Sequence, residues 1–330
     1  MSNNFSAADI SPLWTSYQYD TLSKCGLHFF LNHVDDPDIK QILEQTLALV
    51  EEHIEHIKEL FHRANHPLPH AFTTEDVNVQ APRLFSDQLY LKYVYNMTDF
   101  MMNSYGLGLT VSDREDVISY YSTNIEAANK LNKQAKKLEK QKGLYIGSPQ
   151  IPKQTKIEFV NKQNFINGWI GERRPLLGVE ITNLVFHAKR NAIGHALMTG
   201  FSQVAASKEV RKFFERGRDI SGKHFEIFTS ILHEEFLSES ALLLTSEVTD
   251  STVAPFSDRL MMTFVSNLIA SSMGQYGVAL SSSPRHDLSV HYSRLIAEVG
   301  KYANEGNKIL INNGWLEQPP MAADRRDLAK

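Results

Sequence analysis

The stretch Phe85-Ser86-Asp87-Gln88-Leu89 returns as Phe256-Ser257-Asp258-Arg259-Leu260, an offset of 171 residues. The same offset holds without a gap on either side. Upstream it pairs Leu13 with Leu184, His53 with His224, Glu55 with Glu226 and His62 with His233; downstream it pairs Asn96 with Asn267, Tyr105-Gly106 with Tyr276-Gly277, Arg114 with Arg285 and Gly143 with Gly314. Solenoid units are a few tens of residues long, so a period of this length marks a duplicated domain. A chain of 330 residues has room for two ordinary domains, and the repeat makes them two copies of one.

Each copy reads as four helices. Helix-start signals at Ser6-Ala7-Ala8-Asp9 and Ser11-Pro12 precede Leu13, Trp14, Tyr17, Thr21, Cys25, His28 and Leu31 at helical spacing. Asp36-Pro37 is an N-cap followed by proline, with Ser207 in the copied place, and it opens a helix running to about Ala64 with His53 on its inward stripe. Ser86 opens a third helix; Ser112 to Glu115 reads as a capping box for a fourth, which Gly143 ends, as Ser283-Pro284 and Gly314 do in the copy. Residues 65–85 lack helical period and are rich in Pro, Thr, Asp and Asn. At roughly 3.3 Å per residue such a segment spans about 69 Å, enough to cross the length of a bundle. Two antiparallel hairpins joined by one long crossover is the ferritin-like variant of the four-helix bundle. The predicted architecture is therefore all-α, two tandem ferritin-like four-helix bundles. The first spans 10–149 and the second 177–320; between them 150–176, with Phe165, Trp169 and Ile170, is expected to pack on the bundles, and 321–330 to be a disordered tail.

Composition narrows the function classes. An apolar share of 42%, a charged share of 22% and a net charge of -4 describe an ordinary globular chain with no basic surplus for phosphates, so nucleic acid is not an expected partner. Cys25 is the only cysteine, which rules out an intramolecular disulfide and fits a reducing compartment. Met1 to Asp9 is polar and no apolar run approaches the roughly 20 residues of a membrane helix, so the expectation is a cytoplasmic protein without membrane insertion.

The dimetal carboxylate site of some ferritin-like bundles takes a glutamate from each of two helices and Glu-x-x-His from each of the others. Here the sole Glu-x-x-His, Glu59 to His62, faces away from the apolar stripe, and Ser230 stands at the copied glutamate position. The run Glu51, Glu52, His53, Glu55, His56 is dispersed around its helix at 100° per residue, leaving only His53 inward. His53 and His224 read as polar core residues needing hydrogen-bond partners. Helical phasing brings His224, Gln275, His291 and Glu298 to inward faces of the second copy, where small residues leave room, so these four are the candidates for a metal ion or small ligand. The first copy has His53, Ser104, Tyr120 and Ala127 there instead. Cys25 reads as a packed thiol, the lysines from Lys130 to Lys142 as a solvated face, and Asn96 and Asn267 as hydrogen-bonding towards the crossover.

Several strings carry a family resemblance: Leu13-Trp14-Thr15-Ser16-Tyr17, Leu84-Phe85-Ser86-Asp87, Phe165 to Gly168, Arg173 to Leu176, Gly200-Phe201-Ser202-Gln203-Val204, Pro255 to Asp258, and Asn313-Gly314-Trp315-Leu316-Glu317-Gln318-Pro319-Pro320. With these the chain resembles the two-repeat ferritin-like family of domain of unknown function 3231 from spore-forming firmicutes, distantly similar to spore coat protein F. The resemblance implies the fold, a bacterial origin and a link to sporulation or stress, and it brings no catalytic residues. The resulting expectation is a non-catalytic structural or interaction protein, with protein partners or self-association, no catalytic residues and no cofactor. The alternative is a metal- or small-ligand-binding protein whose site, for a single metal ion at most, lies in the second bundle.

Overall fold

The computed structural model describes residues 4–169, 173–237 and 244–329. Ile170, the tail residue Lys330 and the first three residues of the polar N-terminal stretch lie outside the described residues. The first half contains α1 (Ala7–His33), α2 (Pro37–Arg63), α3 (Asp87–Val111) and α4 (Glu115–Gln141); the second contains α5 (Gly178–Val204), α6 (Lys208–Glu234), α7 (Asp258–Ser282) and α8 (His286–Asn312). Every helix of the second half begins and ends 171 residues after its counterpart, and so do the single 3-10 turns Thr74–Asp76 and Thr245–Glu247 in the two crossovers. No strand occurs among the described residues, although two isolated bridges do.

Local chemistry sets the helix ends. Ser6 and Asp9 form a capping box at α1, Asp36 and Ser207 cap α2 and α6, and Ser86 and Ser257 cap α3 and α7 through the backbone N–H groups of Leu89 and Leu260. The left-handed φ of +69° at Gly143 and +66° at Gly314 lets the following N–H groups turn back onto the last carbonyls of α4 and α8, as in Leu144 N to Glu139 O at 2.8 Å and Trp315 N to Leu310 O at 2.8 Å. The fourth helices start differently from the sequence expectation. Ser112 ends α3, Arg114 is the N-cap of α4 without a side-chain cap, and Asp9 accepts the N–H groups of Asp113 and Arg114 at 3.1 and 3.3 Å. A carboxylate from α1 has taken over the capping task that Ser112 would have served locally. Arg285 likewise precedes α8, after Ser283-Pro284.

Around each bundle α1 packs on α2 and α3, and α4 on α2 and α3, with the same arrangement among α5 to α8. The cores contain Leu13, Leu43, Val50, Ile57 and Leu60 in the first half and Leu184, Val210, Phe214, Phe228 and Leu295 in the second, all at most 1% exposed. Full burial of such a side chain contributes roughly 1.5–3 kcal/mol. Both bundles are therefore packed on apolar side chains, which run together into one cluster across the two halves.

The halves are joined reciprocally. Val77 bridges Phe256 and Phe85 bridges Val248, which are the same pair exchanged through the 171-residue offset. Asn78 N donates to Pro255 O at 2.8 Å and Thr249 N to Leu84 O at 3.0 Å; Ser257 N donates to Asp76 O and Ser86 N to Glu247 O, both at 2.9 Å. The capping hydroxyls also cross over, Ser257 Oγ to the Asp76 carboxylate at 2.7 Å and Ser86 Oγ to that of Glu247. Each crossover thus places a carboxylate at the N-terminus of the other half's third helix, where the helix dipole favours negative charge. Contacts that repeat in exchanged form are those of a pseudo-twofold dimer within one chain. Phe85 rests against Gly200, whose counterpart Phe29 rests against Phe256 with ring centroids 5.3 Å apart.

The connection corrects one expectation. Residues 150–164 are almost entirely exposed, with Ile157 and Phe159 each 88% accessible. Packing is confined to the two ends, where Tyr145 lies among Lys136, Lys140 and Lys189, and Arg174 stacks on Phe165 at 4.3 Å while pairing with the buried Glu180 at 2.8 Å. The run Ile157 to Val160 in the middle, β-prone in composition, pairs with no strand among the described residues and forms no helix, so it has no apolar face to lay down. Residues 321–329 are likewise exposed throughout, including the turn at 325–329.

Candidate functional site: two buried polar centres

The middle of each bundle is polar, and the two centres differ in how their polar atoms are served. In the first half α1 contributes Asp20, α2 His53, α3 Tyr105, and α4 Tyr120, Tyr121 and Asn124. The Tyr105 hydroxyl lies 3.0 Å from His53 Nδ1. Asp20 is 1% exposed, His53 Nδ1 lies 3.8 Å from it, beyond hydrogen-bonding length, and among the described residues neither carboxyl oxygen has a protein donor. His53 Nε2, the Tyr120 and Tyr121 hydroxyls and the Asn124 amide nitrogen are also buried without a partner. Burial pushes the Asp20 carboxyl above its ordinary range despite His53, and drives the Tyr105 and Tyr120 hydroxyls well above theirs. Beside Asp20 and Tyr105 a cavity of about 280 Å³ opens between α1 and α3, with Ser11, Thr15 and Ser104 towards its mouth.

In the second half the same positions are better satisfied. Asn191 replaces Asp20 and donates to the Tyr276 hydroxyl at 2.9 Å; that hydroxyl is 3.1 Å from His224 Nδ1. His224 Nε2 meets Glu298 Oε2 at 3.2 Å, and Glu298 is held in turn by Lys223 Nζ at 2.9 Å. Burial lowers the His224 pKa in spite of Glu298, so the neutral imidazole is favoured. Burial would raise Glu298, yet its bonds to Lys223 and His224 outweigh that and hold the carboxylate below its usual range. His187, which stands where the first half has Ser16, is pushed down to about 3 by burial and lies 3.3 Å from the Tyr292 hydroxyl. The adjoining cavity measures about 90 Å³, room for only a few waters.

Of the four candidates from the sequence, the fold brings together His224 and Glu298. His291 is half-buried against Trp169, ring centroids 6.3 Å apart, and its Nδ1 faces Arg294 at 3.5 Å; Gln275 makes no hydrogen bond to either His224 or Glu298. Among the described residues no group of three His, Cys, Asp or Glu side chains is placed to hold a metal ion. His291 misses the centre because α8 turns Tyr292, which is 1% exposed, inward instead. Asn96 bonds its own helix at Lys92 O, 2.8 Å away, and not the crossover. Cys25 is buried, donates to Thr73 O at 3.3 Å, and has its thiol pushed up to about 11 by burial. Asp20 was missed because α1 is buried around most of its circumference, by its own bundle and by the other half, so its inward stripe cannot be phased from apolar spacing. The signal that was available is Leu13, Tyr17 and Asp20 at i, i+4 and i+7.

The fold and these centres define a duplicated all-α protein built from tandem four-helix bundles with polar hearts. The chain belongs to the family described as Protein of unknown function (DUF3231), whose model matches residues 2–157 and 164–328, one repeat each. Among solved structures it is similar to a provisionally assigned spore coat protein from Bacillus halodurans C-125, at 21% identity over 46% of this chain and 97% of that one, with a TM-score of 0.41. A search of curated proteins gives no match.

Proposed function

We propose that the protein is a non-catalytic binding protein whose first bundle holds a small molecule carrying a protonated amine or a hydroxyl group. The observation that supports this is Asp20: a carboxyl group 1% exposed, with no protein donor on either oxygen, beside a cavity leading in between α1 and α3. A buried acceptor left unmet costs about 1–3 kcal/mol, and an ammonium or hydroxyl group from a ligand offsets that cost. The neighbouring Tyr105 and Ser104 supply further hydrogen bonds, and Phe100 and Met101 an apolar wall. A non-catalytic role fits side chains that carry no activated nucleophile, since burial raises the Cys25 thiol and the tyrosine hydroxyls alike. The link to sporulation or stress rests on the family resemblance, and expression timed to either condition would agree with it.

The test is calorimetric titration of the full chain with ethylamine, ethanolamine and, as the acid of matched size, propionate. The amine or the amino alcohol is expected to bind and propionate not, and Asp20→Asn to weaken binding at least tenfold. Equal binding by Asp20→Asn, or no heat from either amine at tens of millimolar, overturns the reading.

A further inference from the structure

A third cavity, of about 470 Å³, lies between the halves, walled by α3, the chain after α4, α5 and the second crossover. Its size is that of a small-molecule site. Five of its six charged groups stand on one side of the pseudo-twofold only; the sixth, Glu247, has Asp76 as its counterpart. Lys92, Asp99, Glu139, Lys189 and Arg190 line it, and the 171-residue offset turns them into Thr263, Ala270, Leu310, Gln18 and Tyr19 on the opposite side. Joining two copies of one bundle therefore does not require these charges, since the equivalent seam is built without them.

Four of the five are held by an ion pair, a backbone carbonyl or a side-chain amide. Lys92 Nζ lies 3.5 Å from Glu139 and 3.3 Å from Leu144 O, Lys189 donates to Ile146 O, and Asp99 accepts from Asn132 at 3.0 Å. Arg190 is the exception. Its one hydrogen bond runs from Nη2 to Ser271 Oγ at 3.1 Å, and among the described residues no carboxylate is within salt-bridge reach. A guanidinium offers five donors in a planar fork suited to a two-oxygen anion. Here the fork lies over the Phe186 ring, 5.4 Å from its centroid, and the Tyr95 and Tyr145 side chains line the same cavity. Burial raises Asp99 and Glu139 towards their neutral forms and lowers Lys189 and Arg190 from their usual range, while Asp99 acts in the opposite sense on Arg190 and Glu139 on Lys189.

We propose that this cavity binds a small organic anion, its carboxylate on the Arg190 fork and its planar body against Tyr95, Tyr145 and Phe186. The site is separate from Asp20, in charge preference as well as in place. Bound there, the anion touches both halves and resists their separation.

The experiment titrates the full chain with benzoate, with uncharged benzamide of the same shape, and with inorganic phosphate, reading heat and thermal midpoint. Benzoate is expected to bind and raise the midpoint, benzamide at least tenfold more weakly, and phosphate more weakly than benzoate. Arg190→Gln is expected to abolish the preference for benzoate over benzamide, Arg190→Lys to keep part of it, and Asp20→Asn to leave it unchanged. Far-UV circular dichroism checks that each variant is folded, and the benzoate–benzamide comparison on the unaltered chain stands without them. Equal binding of benzoate and benzamide, no benzoate binding below about 10 mM, or undiminished benzoate affinity in Arg190→Gln overturns the proposal.

Discussion

Replacing Asp20 by Asn should make the protein more stable at neutral pH, an uncommon outcome for a change at a fully buried position. The second bundle shows the mechanism, because Asn191 stands at the equivalent point and its amide donates to the Tyr276 hydroxyl at 2.9 Å. At position 20 the same amide would reach Tyr105, the counterpart of Tyr276, where neither oxygen of the Asp20 carboxyl has a hydrogen-bond partner. Removing an unmet buried acceptor and gaining one hydrogen bond is worth about 1–3 kcal/mol. The pH dependence carries the diagnosis. The folded-state pKa of Asp20 is raised by burial, so between the unfolded value and the folded one the native state binds more protons than the unfolded state. Stability of the unaltered chain on this account falls as pH rises through that window, at up to about 1.4 kcal/mol per pH unit, and then levels off. Asn does not titrate, so the advantage of Asp20→Asn should be small near pH 4 and full above the folded pKa. Urea unfolding of both chains at pH 4, 5, 6 and 7.5 measures the difference directly. A variant that is less stable at every pH, or an advantage that does not grow with pH, would show that Asp20 is served by something other than a neutral carboxyl in a tight core.

Three further outcomes follow from the join between the halves and from the thiol. Ser257→Ala removes both the α7 cap and the bond to Asp76, and should cost about 1–2 kcal/mol in urea unfolding, whereas Ser281→Ala on the exposed end of the same helix should cost under about 0.5. A Cβ at Gly200 would press into the Phe85 ring, so Gly200→Ala should cost about 1–3 kcal/mol; Gly274→Ala, with nothing nearby, should be neutral or stabilising. Cys25 should resist a thiol reagent at pH 8 in the folded chain and react at once in denaturant, because its thiol is buried and raised to about 11.

The architecture was legible because duplication writes each signal twice. Asp36 with Ser207, Ser86 with Ser257 and Gly143 with Gly314 mark helix ends by local hydrogen bonding and backbone sterics, which need only near neighbours in the chain. The inward phase of α2 and α6 was equally readable, since each has one wet face and one dry face, and His53 and His224 fall on the dry one. Partnership was not readable. Whether Ser112 or Asp9 caps α4 depends on where α1 ends up, and whether Ile157 and Phe159 are covered depends on a partner strand that the fold does not provide. The sequence also pointed to the second bundle as the roomier place for a ligand. The three-dimensional arrangement shows that Asn191, Tyr276, His224, Glu298 and Lys223 satisfy one another there, with His187 Nε2 left over, while the bulkier first bundle leaves both oxygens of Asp20 unmet. Composition and periodicity report which residues are inside. Only the packing of four helices decides which of those residues meet, because a hydrogen bond turns on a few tenths of an ångström between groups that are tens to hundreds of residues apart.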